Sequence, residues 1–186
     1  MHVSNEKAES VLRLLVEGTS IRSIERIIGM HRDTIMRLLG VIGEGCERML
    51  EDKIRNVRVS DVQCDEMWGF VGCKEKNKWE DSPESFGDAY CFVAIERKSK
   101  LVLAWHLGRR NAHDTVAFTE KIDAATTGRF QITTDGFQSY PEAIHYSLGT
   151  RVDFAQLIKV YDSDRWRAPL FAARGCQRNA GIPGRK

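Results

Sequence analysis

Two aspartates stand where a carboxylate is costly. Asp65 lies inside an apolar, strand-like run, QCDEMWGFV, and Asp135 directly follows the strand pattern of residues 130–134, in TTDGFQSY. A carboxylate within or at the end of a buried strand is unfavourable unless it is paired or binds a metal. On neighbouring strands, Asp65 and Asp135 would offer hard oxygen ligands to Mg²⁺ (or Mn²⁺). Metal held in this way activates water or a 3′-hydroxyl and stabilises the leaving oxygen of a phosphodiester. Glu66 adjoins Asp65, but strand side chains alternate faces, so the two should not chelate one ion together. Gly136 permits a tight turn after Asp135, where a phosphate or metal approaches closely. Taken singly, each aspartate reads better as a strand-end cap or a solvated turn, and Asp-Gly is itself a turn signal. Only the joint placement points to a site.

A second group of residues suits nucleic acid. The segment GTSIRSIERIIGMHRDTIMRLL reads as helix, glycine turn and helix, with a further helix before it, which is the layout of a helix-turn-helix. Gly29 falls at the turn, and His31, Arg32 and Asp33 open the second helix of the motif. Arg32, Met36 and Arg37 lie off the apolar stripe, where arginine reads guanine edges or phosphates in a major groove. Arg22 and Arg26 sit on the preceding helix, in reach of backbone phosphate. The competing reading is a small three-helix bundle with a solvated charged face.

Three helical patterns must position these groups. Ala8, Val11, Leu12 and Leu15 follow helical spacing up to Gly18. Thr19 or Ser20 caps the next helix, which carries Ile21, Ile24 and Ile28 and ends at Gly29. The third places Ile35, Leu38, Leu39 and Ile42 on one stripe, and Gly43 and Gly45 weaken it afterwards. Residues 57–71 then read as strand and 72–88 as a polar loop. Residues 89–95 and 101–107 form a β-hairpin pattern. Helix is predicted over 111–125, strand over 130–134, a short helix over 141–146 and a last strand over 152–161. The order β, β, β, α, β, α, β defines a mixed α/β domain with a hairpin followed by parallel crossovers.

Composition sets the outer bounds. The 186 residues are 42% hydrophobic and 29% charged, which is globular composition and excludes wholesale disorder. No apolar run matches a membrane span and the N-terminus lacks a signal-peptide pattern, so a soluble cytoplasmic protein without a membrane partner is the default. The cysteines Cys46, Cys64, Cys73, Cys91 and Cys176 form no CxxC pair, fit no zinc module, and read as reduced, mostly buried thiols. The net charge of +2 divides into +1 over residues 1–60, −3 over 61–161 and +4 over 162–186. From Asp162 the sequence turns rich in Arg, Ala, Gly and Pro and loses periodicity. It reads as an irregular basic tail or as out-of-frame translation of GC-rich DNA, which composition does not separate.

LVEGTSIRSIERIIGMHRDTIMRLL, QCDEMWGFV, LGRRNAHDT and TTDGFQSY together resemble bacterial insertion-sequence transposases of the DDE class, closest to the insertion-sequence-one family. The resemblance covers roughly residues 8 to 161. It implies a helix-turn-helix over residues 1–50 that recognises the terminal inverted repeats of double-stranded DNA. It implies a partial RNase-H-like catalytic domain over residues 57–161, with Asp65 and Asp135 as the first two acidic ligands of Mg²⁺. Arg109 and Arg110 match the family's GRR-like segment, where a phosphate contact is expected. Assembly with a second copy or with a full-length transposase is also implied. The family's third ligand is a Glu in a His-x-Glu-Arg-like setting, and no Glu follows Glu142 here. Asp153, Asp162 and Asp164 are the remaining acids, and none matches that motif. The expectation is a truncated or frameshifted transposase with impaired cleavage and transfer. The alternative is a non-catalytic DNA-binding repressor derived from one.

Overall fold

The computed structural model describes residues 3–160 and 170–174, with the backbone alone for residues 159, 160 and 170–174. The chain divides into two compact units, Met1–Lys53 and Ile54–Lys186.

The first unit is three helices: α1 (Asn5–Val16), α2 (Ile21–Ile28) and α3 (Arg32–Lys53). Ser4 and Ser20 cap α1 and α2 by accepting from the backbone N–H three residues on. Gly29 ends α2 in the left-handed region at φ 67°, a conformation that costs a residue with a Cβ. The Glu25 side chain then accepts from the Arg32 N–H at 3.0 Å, which satisfies one of the open donors at the start of α3. Val11, Ile24, Met30, Ile35 and Leu38 form the core between the three helices. Two expectations change here. Leu39 is exposed, so the buried stripe of α3 is Ile35, Leu38 and the partly buried Ile42. The helix also continues through Gly43 and Gly45 to Lys53. Each glycine costs about 0.5–1 kcal/mol relative to alanine, but good helix formers (Glu44, Glu47, Arg48, Met49, Leu50) surround them.

The second unit is a mixed sheet with helices. A two-residue strand β1 (Val57–Arg58) precedes the long β2 (Asp61–Val71), so the predicted single strand is broken between them. β3 (Gly87–Glu96) and β4 (Val102–Gly108) form the hairpin. α4 (Ala112–Ala125), the two-residue β5 (Thr126–Thr127), β6 (Phe130–Asp135), α5 (Tyr140–Leu148) and β7 (Val152–Val160) follow. β8 (Leu170–Arg174) pairs antiparallel with β7, which corrects the irregular tail at these five residues. An apolar run beside an open strand edge gains ladder hydrogen bonds that local periodicity does not reveal. The rest of the predicted tail, with Asp162 and Asp164, lies outside the described residues.

The sheet order is β4-β3-β2-β6-β7-β8. β2 runs antiparallel to β3 and parallel to β6, and β6 runs parallel to β7. β1 and β5 pair separately in parallel. One sheet face is buried: Val62 and Cys64 of β2, Phe92 and Ala94 of β3, and Phe130 and Ile132 of β6 pack with Phe118 and Ile122 of α4 and Ile144 and Leu148 of α5. Gln63, Asp65 and Met67 alternate onto the opposite face, where all three are exposed.

Gly108 marks a close approach, since a Cβ there would lie 2.4 Å from the Asp114 carboxylate. That carboxylate accepts from His106 and Asn111 side chains and the Arg109 N–H, each at 2.9 Å. Burial alone would raise the Asp114 carboxyl, and these donors outweigh it, so its net shift is downward. Among the described residues, no helix is long and apolar enough to cross a membrane. Of the described cysteines, Cys64 is buried, Cys73 and Cys91 are half-buried and Cys46 is exposed, so the expectation of mostly buried thiols holds only for Cys64.

Phe118 joins α4 to the sheet, fully buried and 5.5 Å from the Phe92 ring. Phe118→Ala should cost about 3–5 kcal/mol. Urea denaturation should show a lower midpoint with an unchanged slope.

Candidate active site

Asp65 and Asp135 line one open cleft on the sheet. Their placement follows from register. Gln63 of β2 lies beside Thr133 of β6, and Asp65 and Asp135 each stand two residues further along their strands. The same alternation therefore sends both carboxylates towards the face that α4 and α5 leave uncovered. Arg110, from the loop between β4 and α4, lines the same cleft.

Burial, expected for Asp65 from its place in an apolar strand, falls on its neighbour instead. Asp65 is exposed, and one of its oxygens accepts from the Glu66 N–H at 2.9 Å. Asp135 is 40% exposed at its side chain. The acid that pays for burial is Glu66, whose side chain is only 4% exposed. Glu66 shares the parity of Val62 and Cys64, the covered face, and this was the signal available in the sequence.

Arg110 joins the two faces. Its Nε donates to Glu66 at 3.1 Å and its Nη2 donates to Asp135 at 2.9 Å. The guanidinium lies 4.2 Å from the Phe137 ring centroid and 6.0 Å from that of Tyr90. Stacking and two carboxylates hold a planar cation better than an ammonium could be held. The Tyr140 hydroxyl donates to the other oxygen of Glu66. The turn after β6 is fixed as well: Asp135 accepts from the Phe137 N–H at 2.9 Å, and Gln156 donates to the Asp135 and Phe137 carbonyls at 3.1 Å.

Burial pushes the Glu66 carboxyl up. The Tyr140 hydroxyl pulls it down, the Asp135 charge pushes it up and Arg110 pulls it down, and the net shift is upward. Burial, with help from the Glu66 hydrogen bond, raises the Tyr140 hydroxyl. Burial likewise raises the Cys64 thiol, so it stays protonated and inert at neutral pH.

Arg109 has a different task. Its Nη1 donates to the Asp88 carbonyl, and Nη2 donates to the Phe86 and Glu84 carbonyls at 2.9 and 3.2 Å. Glu75 pairs with it at 3.5 Å. Its donors pin the loop before β3, where a phosphate contact was expected. Asp153 is likewise not brought to the cleft. It pairs with Arg129 at 2.6 Å and stands beside Gln131, four residues before Asp135 in register. That is roughly 13 Å along the strand. Among the described residues, no group of three His, Cys, Asp or Glu side chains gathers as a metal site.

In the first unit, Arg22, Arg26, His31, Arg32, Met36 and Arg37 are all exposed. Arg26 donates to the Ser23 hydroxyl at 3.1 Å, and His31 and Arg32 lie 3.5 and 3.9 Å from Asp33. Exposed ion pairs of this kind are weak and yield readily to a phosphate. Neither protein-family models nor curated proteins give a match to this chain.

Because the Glu66 carboxyl titrates higher in the folded state than in the unfolded chain, its contribution to stability is greatest below the unfolded value. It is lost as pH rises through the folded value. By carboxyl-detected NMR, Glu66 should titrate above its ordinary 4.5. Arg110→Met should move it further up and steepen the loss of stability towards neutral pH. An unchanged or lower titration in Arg110→Met would break the electrostatic account of the site.

Proposed function

We propose that this chain is an insertion-sequence transposase polypeptide of the DDE class. Its helix-turn-helix unit reads terminal inverted repeats, and its sheet unit is an RNase-H-like domain for DNA strand cleavage and transfer. The observation that carries the reading is the joint placement of Asp65 and Asp135 on one face of adjacent parallel strands, in one cleft. The strand and helix order after residue 57 supports it, as do the exposed basic residues at the start of α3.

Asp65 and Asp135 fit Mg²⁺ or Mn²⁺ in ligand type, since both are hard oxygen donors at the rim of open solvent. When bound there, the metal polarises the scissile phosphate and promotes attack by water or a 3′-hydroxyl. The residues around it set the electrostatics. Arg110 engages one oxygen of Asp135 and offsets the negative charge of Glu66. A DNA phosphate entering the cleft competes with Asp135 for that guanidinium, which makes one hydrogen bond to each carboxylate and whose planar fork suits phosphate. Arg110 then moves from Asp135 to the substrate, leaving the Asp135 oxygens available. Glu66, itself held by the Tyr140 hydroxyl, keeps the Arg110 Nε in place during this exchange.

Two carboxylates make an incomplete donor set, so strand joining by this chain alone is impaired. A second reading rests on the exposed basic face of the first unit: a DNA-binding repressor that occupies the repeats and competes with a full-length enzyme.

Duplex fragments from the DNA flanking the coding sequence provide the test. Sequence-specific binding should survive Asp65→Ala and Asp135→Ala. It should fall by about tenfold with Arg32→Ala or Arg37→Ala, as for the loss of a base or phosphate contact. Equal loss in all four variants counts against a separable recognition unit. Robust Mg²⁺-dependent joining by the purified chain would refute the predicted impairment.

A further inference from the structure

An aromatic strip leads away from Arg110 along the β2–β3 hairpin. Trp68 lies directly opposite Tyr90 in the antiparallel register, and Phe70 follows on the same face. Trp68 and Phe70 are 48% and 49% exposed, with ring centroids 5.9 Å apart. Lys74 holds its ammonium 5.0 Å from the Trp68 centroid. Tyr90, at the inner end, is the ring that Arg110 approaches at 6.0 Å. Tyr90 is half-buried and packs against the core, whereas neither the core nor the proposed metal ligands account for Trp68 and Phe70 being left this open.

We propose that Trp68, Phe70 and Tyr90, with Lys74, form a stacking platform for unpaired bases of single-stranded DNA on the strand face opposite Asp65, with Arg110 between the platform and the carboxylate cleft. The proposal rests on the strand-processing reading and names the form of DNA handled. Aromatic faces take any base, and a nearby ammonium or guanidinium meets the backbone phosphate. Lys74 is a light cover for Trp68, because an exposed lysine trades its ring contact for a phosphate at little cost. The Asp88 carboxyl is lowered first by the Glu75 N–H, which donates to it at 3.0 Å, and further by the Trp68 indole. Single strands suit the site better than duplex, since paired bases offer no free face to stack. The loop after β2 carries Glu75, Glu80, Asp81 and Glu84 alongside Lys74, Lys76 and Lys78. Stacking therefore supplies most of the affinity, and the salt dependence is shallow.

The experiment is fluorescence anisotropy of a labelled single-stranded oligothymidine with the full chain. Trp68→Ala and Phe70→Ala should each weaken binding by about tenfold, the size of one lost base–aromatic stack. Trp68→Phe should recover most of it. Cross-linking of 5-iodouracil-substituted DNA to the wild-type chain does not depend on the variants folding. It should map to peptides that contain Trp68, Phe70 or Tyr90. Undiminished single-strand binding in a folded Trp68→Ala variant, or cross-links confined to residues 1–53, overturns the proposal. So does a concentration-dependent dimer that Trp68→Ala dissolves without any single-strand binding, which assigns the strip to a second copy. Duplex binding without any single-strand binding by the wild-type chain defeats the platform but leaves the transposase reading standing. Failure to bind either form of DNA defeats that reading itself.

Discussion

The register of β2 is the constraint on which the second unit depends. This strand is central, antiparallel to β3 along its whole length and parallel to β6 over its first residues. Strand alternation makes its register an all-or-none choice. A slip of one residue would move Val62 and Cys64 out of the core and carry Asp65 beneath the helices. It would also put Glu66 out of reach of Arg110 and Tyr140. Burial of Val62, Cys64, Phe92 and Ile132 thus fixes which acid faces the open cleft and which is held inside.

The three acids at this end of the sheet answer the cost of charge in different ways. Asp65 remains in solvent. Asp135 shares its charge with Arg110 and a backbone N–H. Glu66 is taken out of water and depends on Arg110 and Tyr140. One guanidinium serves two carboxylates from different faces, so a charge arriving at either carboxylate is felt at the other. This coupling is what makes Arg110 suited to respond to a phosphate. Arg109, its neighbour in sequence, instead ties down the loop that leads into β3.

Much of this was legible in the sequence because it is local. Ser20 and Gly29 bracket α2 through capping chemistry that needs no tertiary partner. The hairpin and α4 follow from alternation and helical spacing. The two-carboxylate cleft was anticipated from Asp65 and Asp135, although the reason given for Asp65, burial, was mistaken. What stayed hidden depends on distant partners. Glu66 is explained by residues 44 and 74 positions away. Its parity with Val62 and Cys64 marks it for the covered face, but local pattern does not reveal Arg110 and Tyr140 as the partners that hold it there. The edge pairing of Leu170–Arg174 and the continuation of α3 through its glycines depend on long-range pairing and on the balance of propensities along a whole helix.

The central claim is that Asp65 and Asp135 act together on one divalent cation. Mn²⁺ binding followed by electron paramagnetic resonance tests it without requiring turnover. The account predicts a weak site that both Asp65→Asn and Asp135→Asn abolish, while the chain keeps its cooperative unfolding. Mn²⁺ binding that neither substitution alters, or no binding at all, would contradict it.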